Sequence, residues 1–257
     1  MINNIDGTRV VADIAHECGA SNFVLVSTDK AVHPTSVMGC TKQLAERYCL
    51  VMDQISDTKF AVTRFGNVLG SRGSVATVFE RQIKAGGPVT LTDPEMTRFV
   101  MTLKQACSLV LEASELARGG EVFVTKMPVM RIEDLAHVMI YRLAPEFGHA
   151  PTDIEVTTIG SKAGEKFYEE LMTDEETRRT WELPNMFTVL PAFRSVYQEI
   201  EYDYPTILRR QVTEPYHSAT GDMMTYAEIE ELLELCSVLQ GIEDEDADIR
   251  PFVKRAA

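Results

Sequence analysis

The stretch FVLVSTDKAVHPTSVMGCTKQLAERY, residues Phe23 to Tyr48, decides the fold. Its first four residues, Phe23 to Val26, form a short apolar run of the kind that makes a strand buried on both faces of a parallel sheet. Ser27-Thr28-Asp29-Lys30 follows at the carboxyl end of that strand, where open α/β sheets bind ligands. Pro34 interrupts regular structure, and a helical pattern then runs from Ser36 to Met52. Met38 and Lys42 are four residues apart on that helix and so share one face. A hydroxyl, a carboxylate and two ammonium groups, from Thr28, Asp29, Lys30 and Lys42, can therefore converge over the strand tip as a candidate acid/base site. The same residues also read as ordinary turn and N-cap chemistry, with Lys42 a solvated helix lysine.

Before this stretch, Asp6 or Thr8 can cap a helix over 9–18 whose apolar stripe is Val10, Val11, Ile14 and Ala15. A helix thus feeds a central strand with no earlier strand beside it, which predicts an open sheet edge and hence an oligomer or a partner. After it, Lys59–Phe65 is a second apolar strand. The glycine- and serine-rich run from Gly66 to Ser74 lets backbone approach a ligand or simply forms a flexible loop. Helices are predicted over 74–84, 102–117, 132–143 and, from Gly164 onward, through 167–172 and toward Trp181. A capping box at Thr225–Glu228 starts another, reaching Leu239 with Leu232, Leu233 and Leu235 buried. Strands are expected at 89–91, 121–125, 154–159 and 186–190. Arg98 is a candidate for a bidentate phosphate contact, against a surface ion pair as the simpler reading. This alternation implies an α/β fold, a doubly wound parallel sheet over 1–125 with a smaller α/β cap over 126–241 and an acidic tail over 242–257.

With 39 acidic against 25 basic residues, the net charge is −14, which disfavours nucleic acid and anionic membrane as partners. The five cysteines are scattered without a CxxC pair, the pattern of reduced thiols in a cytoplasm and of a chain with no zinc site. No run reaches transmembrane length, and no signal peptide is visible.

Several long motifs occur in order. They are Ser27-Thr-Asp-Lys-Ala-Val32, Pro34-Thr35, Val37-Met-Gly-Cys-Thr-Lys42, Arg64-Phe-Gly-Asn-Val-Leu-Gly-Ser-Arg-Gly-Ser-Val75, Gly86-Gly-Pro-Val-Thr90, Met96-Thr-Arg-Phe99, Gly120-Glu-Val-Phe-Val124, Gly164-Glu-Lys166, Glu169-Glu-Leu-Met172 and Tyr216-His-Ser218. Together they resemble the extended short-chain dehydrogenase/reductase family, and within it the UDP-N-acetylglucosamine 4,6-dehydratases of capsule and O-antigen pathways. Where that family has YxxxK, this chain has Met38-x-x-x-Lys42, as one subgroup of those dehydratases does. The family's opening strand, glycine-rich turn and ribose-binding acid have no counterpart here, so the chain looks like the C-terminal two-thirds of such an enzyme.

The resemblance implies a Rossmann-like fold, NADP (or NAD) as cofactor and a UDP-sugar as substrate. It also implies a redox-neutral cycle of C4 oxidation, C5 proton abstraction, loss of water from C6 and hydride return. By motif position, Lys30 is the C5 base and Asp29 the acid for the leaving hydroxyl. Lys42 holds the nicotinamide ribose and, with Thr28, assists at the C4 hydroxyl. The implied cofactor residues are Ser27, Lys42, Phe65, Asn67 and Val68. Those on the substrate side are Asn67, Ser74, Val75, Arg98, Glu165 and Lys166. The alternatives are a UDP-sugar epimerase of the same family, or a non-catalytic fragment acting as a binding or assembly subunit.

Overall fold

The computed structural model describes residues 1–70, 74–161, 164–192, 200–236 and 238. The strands are β1 (Asn22–Thr28), β2 (Lys59–Phe65), β3 (Asn67–Val68), β4 (Val89–Leu91), β5 (Thr97–Met101), β6 (Val122–Thr125), β7 (Val129–Arg131), β8 (Val156–Thr158), β9 (Thr180–Glu182) and β10 (Met186–Val189). The helices are α1 (Asp6–Glu17), α2 (Val37–Ile55), α3 (Val75–Lys84), α4 (Leu103–Leu116), α5 (Ile132–Leu143), α6 (Asp174–Thr177) and α7 (Tyr226–Leu235).

The main sheet runs β1-β2-β6-β10-β9. Its first three strands are parallel, as β-helix-β connections require, and β10 and β9 close it antiparallel. Phe60, Val62 and Val124 are completely buried in it, so its centre is covered on both faces. The sheet draws strands from both the 1–125 and the 126–241 segments. A smaller sheet, β3-β5-β7, and the β4-β8 pair sit beside a second core in which α3, α5 and α7 pack through Phe79, Ile83, Leu135, Met139 and Leu233.

Three local expectations are corrected. First, β1 is not buried on both faces, since Val26 is 42% exposed, although it is the edge strand expected, pairing with β2 alone among the described residues. The outward face of α1 is open for the same reason, with Val10, Val11 and Ile14 exposed and Ala12 as its buried contact. That helix starts after Ile5 without a side-chain cap, because Thr8 Oγ1 donates to the Asn4 carbonyl instead. Secondly, residues 164–172 are not helical. Their backbone is committed elsewhere: the Phe167 carbonyl accepts from the Thr97 N–H, Leu171 N–H donates to Tyr216 O, and Ser218 N–H donates to Glu169 O. Helix begins only at α6, behind a Thr173–Glu176 capping box. Thirdly, Leu235 is exposed at the end of α7, whereas Leu232 and Leu233 are buried. The expected extension to Leu239, the acidic tail, and Ser71 to Gly73 of the glycine-rich run lie outside the described residues.

Candidate active site

Parallel pairing sets Thr28 level with Phe65, so the turns leaving β1 and β2 meet at one end of the sheet. After β1 the chain enters a single 3-10 turn, Asp29–Ala31, started by Thr28, whose Oγ1 accepts from the Lys30 N–H. The same hydroxyl donates to Asp29 Oδ1 at 2.7 Å. Lys30 Nζ donates to both Asp29 oxygens, at 3.0 and 3.1 Å, and to Asn67 Oδ1 at 3.4 Å. Asp29 is buried, while the Lys30 side chain is 41% exposed and so remains open to a ligand.

The pair faces a cavity of about 230 Å³ bounded by Thr35, Arg98, Gly164, Glu165 and Glu169. Arg98 and Glu165 also line a neighbouring cavity of about 510 Å³, shared with Asn67, Val68, Ser74 and Val75. A larger cavity of about 820 Å³ lies behind Arg64 and Glu46 and contains none of the Asp29–Lys30 group. Arg98 is anchored by the carbonyls of Thr97 (2.7 Å) and Phe167 (3.3 Å). Lys166 Nζ donates to Val32 O at 2.8 Å and pairs with Glu170 at 3.3 Å, bridging the 164–172 segment to the turn after β1.

The structure thus gathers Thr28, Asp29, Lys30 and Asn67 into one hydrogen-bonded group. Ser74, Val75, Arg98 and Glu165 stand around the adjoining space, and half-buried Phe65 stands at the end of β2. Ser27 and Lys42 lie outside that hydrogen-bonded group. Strand alternation turns Ser27 to the opposite face, where its buried hydroxyl donates to Glu46 Oε1. Lys42 Nζ donates to the Val26 carbonyl at 3.1 Å, occupying an acceptor on the free edge of β1.

Two groups had no assigned role in the sequence. Glu169 is buried against Asn67 Nδ2 (2.8 Å) and the Phe99 N–H (3.0 Å), and lies 3.5 Å from both Lys30 Nζ and Arg98 Nε. Burial, and then the Asp29 carboxylate, push its carboxyl up to about 7 against the pull of Lys30 and Arg98. Beneath the site, Arg64 is forked between Glu46 (Nη2–Oε2 2.7 Å) and Glu176 (Nη1–Oε1 3.0 Å). Burial alone would lower the Arg64 pKa, but the two carboxylates more than offset it and the net shift is upward. No local signal marks these partners, because they lie far apart in sequence: 18 residues separate Arg64 from Glu46 and 112 separate it from Glu176.

The start of α2 is pressed on the Asp29–Ala31 turn at Gly39, where an added Cβ would collide with the Lys30 carbonyl. Gly39→Ala is therefore expected to cost about 1–3 kcal/mol through overpacking, despite the better helix propensity of alanine. Urea unfolding of the two proteins measures it; an unchanged midpoint would mean that α2 shifts freely over the turn.

Among the described residues no helix is long and apolar enough to cross a membrane, and no cluster of His, Cys, Asp or Glu could hold a metal ion. Residues 1–191 match the family described as Polysaccharide biosynthesis protein. An uncharacterized membrane protein of Methanocaldococcus jannaschii is 50% identical over 191 residues, which are 73% of this chain and 57% of that protein. A UDP-N-acetylglucosamine 4,6-dehydratase (inverting) of Campylobacter jejuni is 32% identical over 244 residues, 93% of this chain and 70% of that one. The X-ray structure of Pen from Bacillus thuringiensis superposes with a TM-score of 0.80 at 37% identity, covering 91% of this chain and 68% of that one. The chain spans little more than half the length of the first of these relatives. The match across residues 1–191 places this chain in the polysaccharide biosynthesis protein family.

Proposed function

We propose that this chain carries the acid/base centre of a nucleotide-sugar 4,6-dehydratase acting on UDP-N-acetylglucosamine. The observation that carries the reading is the Asp29–Lys30 contact of 3.0 Å at the carboxyl end of β1, facing a cavity. The similarity to a dehydratase of that name supports the substrate.

The residues at the ends of β1 and β2 fit the nicotinamide end of NADP or NAD: the Thr28 hydroxyl, the ring of Phe65, and Lys42, already at the strand edge. When bound, that cofactor supplies reversible hydride transfer at the sugar. Lys42 then serves the ribose and the C4 hydroxyl, since Met38 offers no phenol. Lys30 Nζ, as the neutral amine, takes the proton from C5 of the 4-keto sugar. Asp29, protonated, gives its proton to the C6 hydroxyl, which leaves as water. The pair ends as ammonium and carboxylate at hydrogen-bond distance; returning the proton from Nζ to Oδ1 restores both groups, while C5 takes a proton from solvent in place of the one released from the C4 hydroxyl on oxidation. Arg98, Ser74 and Glu165 border the space for the remainder of the UDP-sugar.

The test is mass spectrometry of UDP-N-acetylglucosamine incubated with the folded chain and NADP in heavy water. The expected product is lighter by one water, about 18 Da, and carries deuterium at C5. An isomer of unchanged skeleton would make the chain an epimerase, and no product would leave it a binding subunit.

A further inference from the structure

The proposed reaction gives Glu169 no task, yet this carboxylate touches the centre of the site. Lys30 Nζ has three N–H donors in its charged form and three partner groups: Asp29, through oxygens at 3.0 and 3.1 Å, Asn67 Oδ1 at 3.4 Å and Glu169 Oε1 at 3.5 Å. Glu169 cannot turn away from this arrangement. Its Oε2 accepts from the Phe99 N–H at 3.0 Å and its Oε1 from Asn67 Nδ2 at 2.8 Å. Its own backbone is held on both sides, N–H to Ser218 Oγ at 2.9 Å and carbonyl from Ser218 N–H at 2.8 Å. The side chain is only 3% exposed, so its charge is poorly screened.

We propose that Glu169 is a positioning residue for the Asp29–Lys30 pair: as a second carboxylate on Nζ it fixes where the amine points and carries charge that Lys30 feels directly. The inference rests on the dehydratase reading for what the pair does, and on geometry alone for how Glu169 holds it. A neutral amine has two N–H groups and one lone pair, so only two of the three partner groups can accept from it at once. A carboxylate locked by a backbone N–H and an amide restricts which direction the lone pair takes.

The charged groups facing Glu169 are Asp29 and Lys30 from the turn after β1 and Arg98 from β5. Lys166 and Glu170, from its own segment, pair with each other, and His33 faces Glu170. Burial and the Asp29 carboxylate raise Glu169 to about 7, so its charge changes in the neutral range.

The test follows the Lys30 side-chain Cε resonance in 13C-lysine-labelled chain between pH 5 and pH 9, assigned with Lys30→Arg. Wild type is expected to show an inflection near pH 7 as Glu169 loses its proton, and Glu169→Gln to lose that inflection. A wild-type resonance without an inflection in this range overturns the proposal even if Glu169→Gln does not fold. An inflection that survives in Glu169→Gln overturns it too. Turnover is expected to fall roughly 10²-fold in Glu169→Gln, in kcat and not KM, through misdirection of the base. If the inflection behaves as expected but Lys30→Ala keeps full turnover, the dehydratase reading fails and the positioning role stands. If Lys30→Ala is inactive while the inflection survives in Glu169→Gln, the positioning role alone fails.

Discussion

Arg64→Met is expected to destabilise the protein by about 3–5 kcal/mol at neutral pH, because it leaves two buried carboxylates without their cation. Glu46 holds Arg64 from α2, and Glu176 holds it from α6, at the far side of the 164–172 segment. Both carboxylates are nearly enclosed, with 3% and 10% of their side chains exposed. Methionine fills much of the volume, so the loss reports charge rather than a cavity. The sign of the pH response follows from Glu176. Burial pushes its carboxyl up, but Arg64 and the Thr173 N–H pull harder, and it ends below the ordinary value of 4.5. A carboxylate lowered in this way stabilises the fold above that value, and the contribution is lost as pH falls through its folded value. Without Arg64 its downward pull is lost and burial pushes the carboxyl up against the Thr173 N–H. The gap between wild type and variant is therefore widest at pH 7 and closes on acidification. Urea midpoints at pH 7 and at pH 4 measure it. A gap that stays constant between them would mean that Arg64 acts through packing and not charge.

Lys30→Ala is expected to lower turnover about 10²–10⁴-fold, the range for removal of a positioned general base. The paired variant, Asp29→Asn, divides the reaction at a different bond. It keeps the Lys30 amine to take the C5 proton, but its carboxamide offers no acidic proton to the C6 hydroxyl. Asp29→Asn is thus expected to exchange deuterium into C5 of substrate without losing water, and Lys30→Ala to do neither. Mass spectra of recovered substrate after incubation in heavy water separate the two cases. Exchange at full rate in Lys30→Ala would assign the C5 proton to another base. The geometry behind this contrast is local: Nζ and the carboxylate are side chains of adjacent residues, held by one 3-10 turn that Thr28 starts.

β3 and β5 fall in stretches that the sequence marks only as loop and turn, but the α/β class, the strands β1, β2, β4 and β6 with the helices between them, and the Thr28-Asp29-Lys30 turn follow from the sequence alone. Each depends on contacts within a few residues: an apolar run, a capping hydroxyl, a helical period. Local pattern also places α2 correctly, since Ser36 caps it and its buried side chains recur at helical spacing. The 164–172 segment marks where such reasoning stops. Glu165, Lys166, Glu169 and Leu171 suit a helix, but backbone hydrogen bonds to Thr97 and to residues 216–218 keep the segment out of one. That tertiary pairing aims Glu169 at Lys30 and brings Glu176 to Arg64. The outer surface of the first helix is a second such case. Its spacing of Val10, Val11 and Ile14 announces an apolar stripe, but whether a stripe is covered depends on what packs beside it, and here it is exposed. Sequence determined which groups could do acid/base chemistry, because their types and spacing are covalent facts. Only the tertiary structure decided which of them meet: Asn67 and Glu169 join the site, Ser27 turns away and Lys42 goes to the edge of β1, because burial and hydrogen bonding act between residues far apart along the chain.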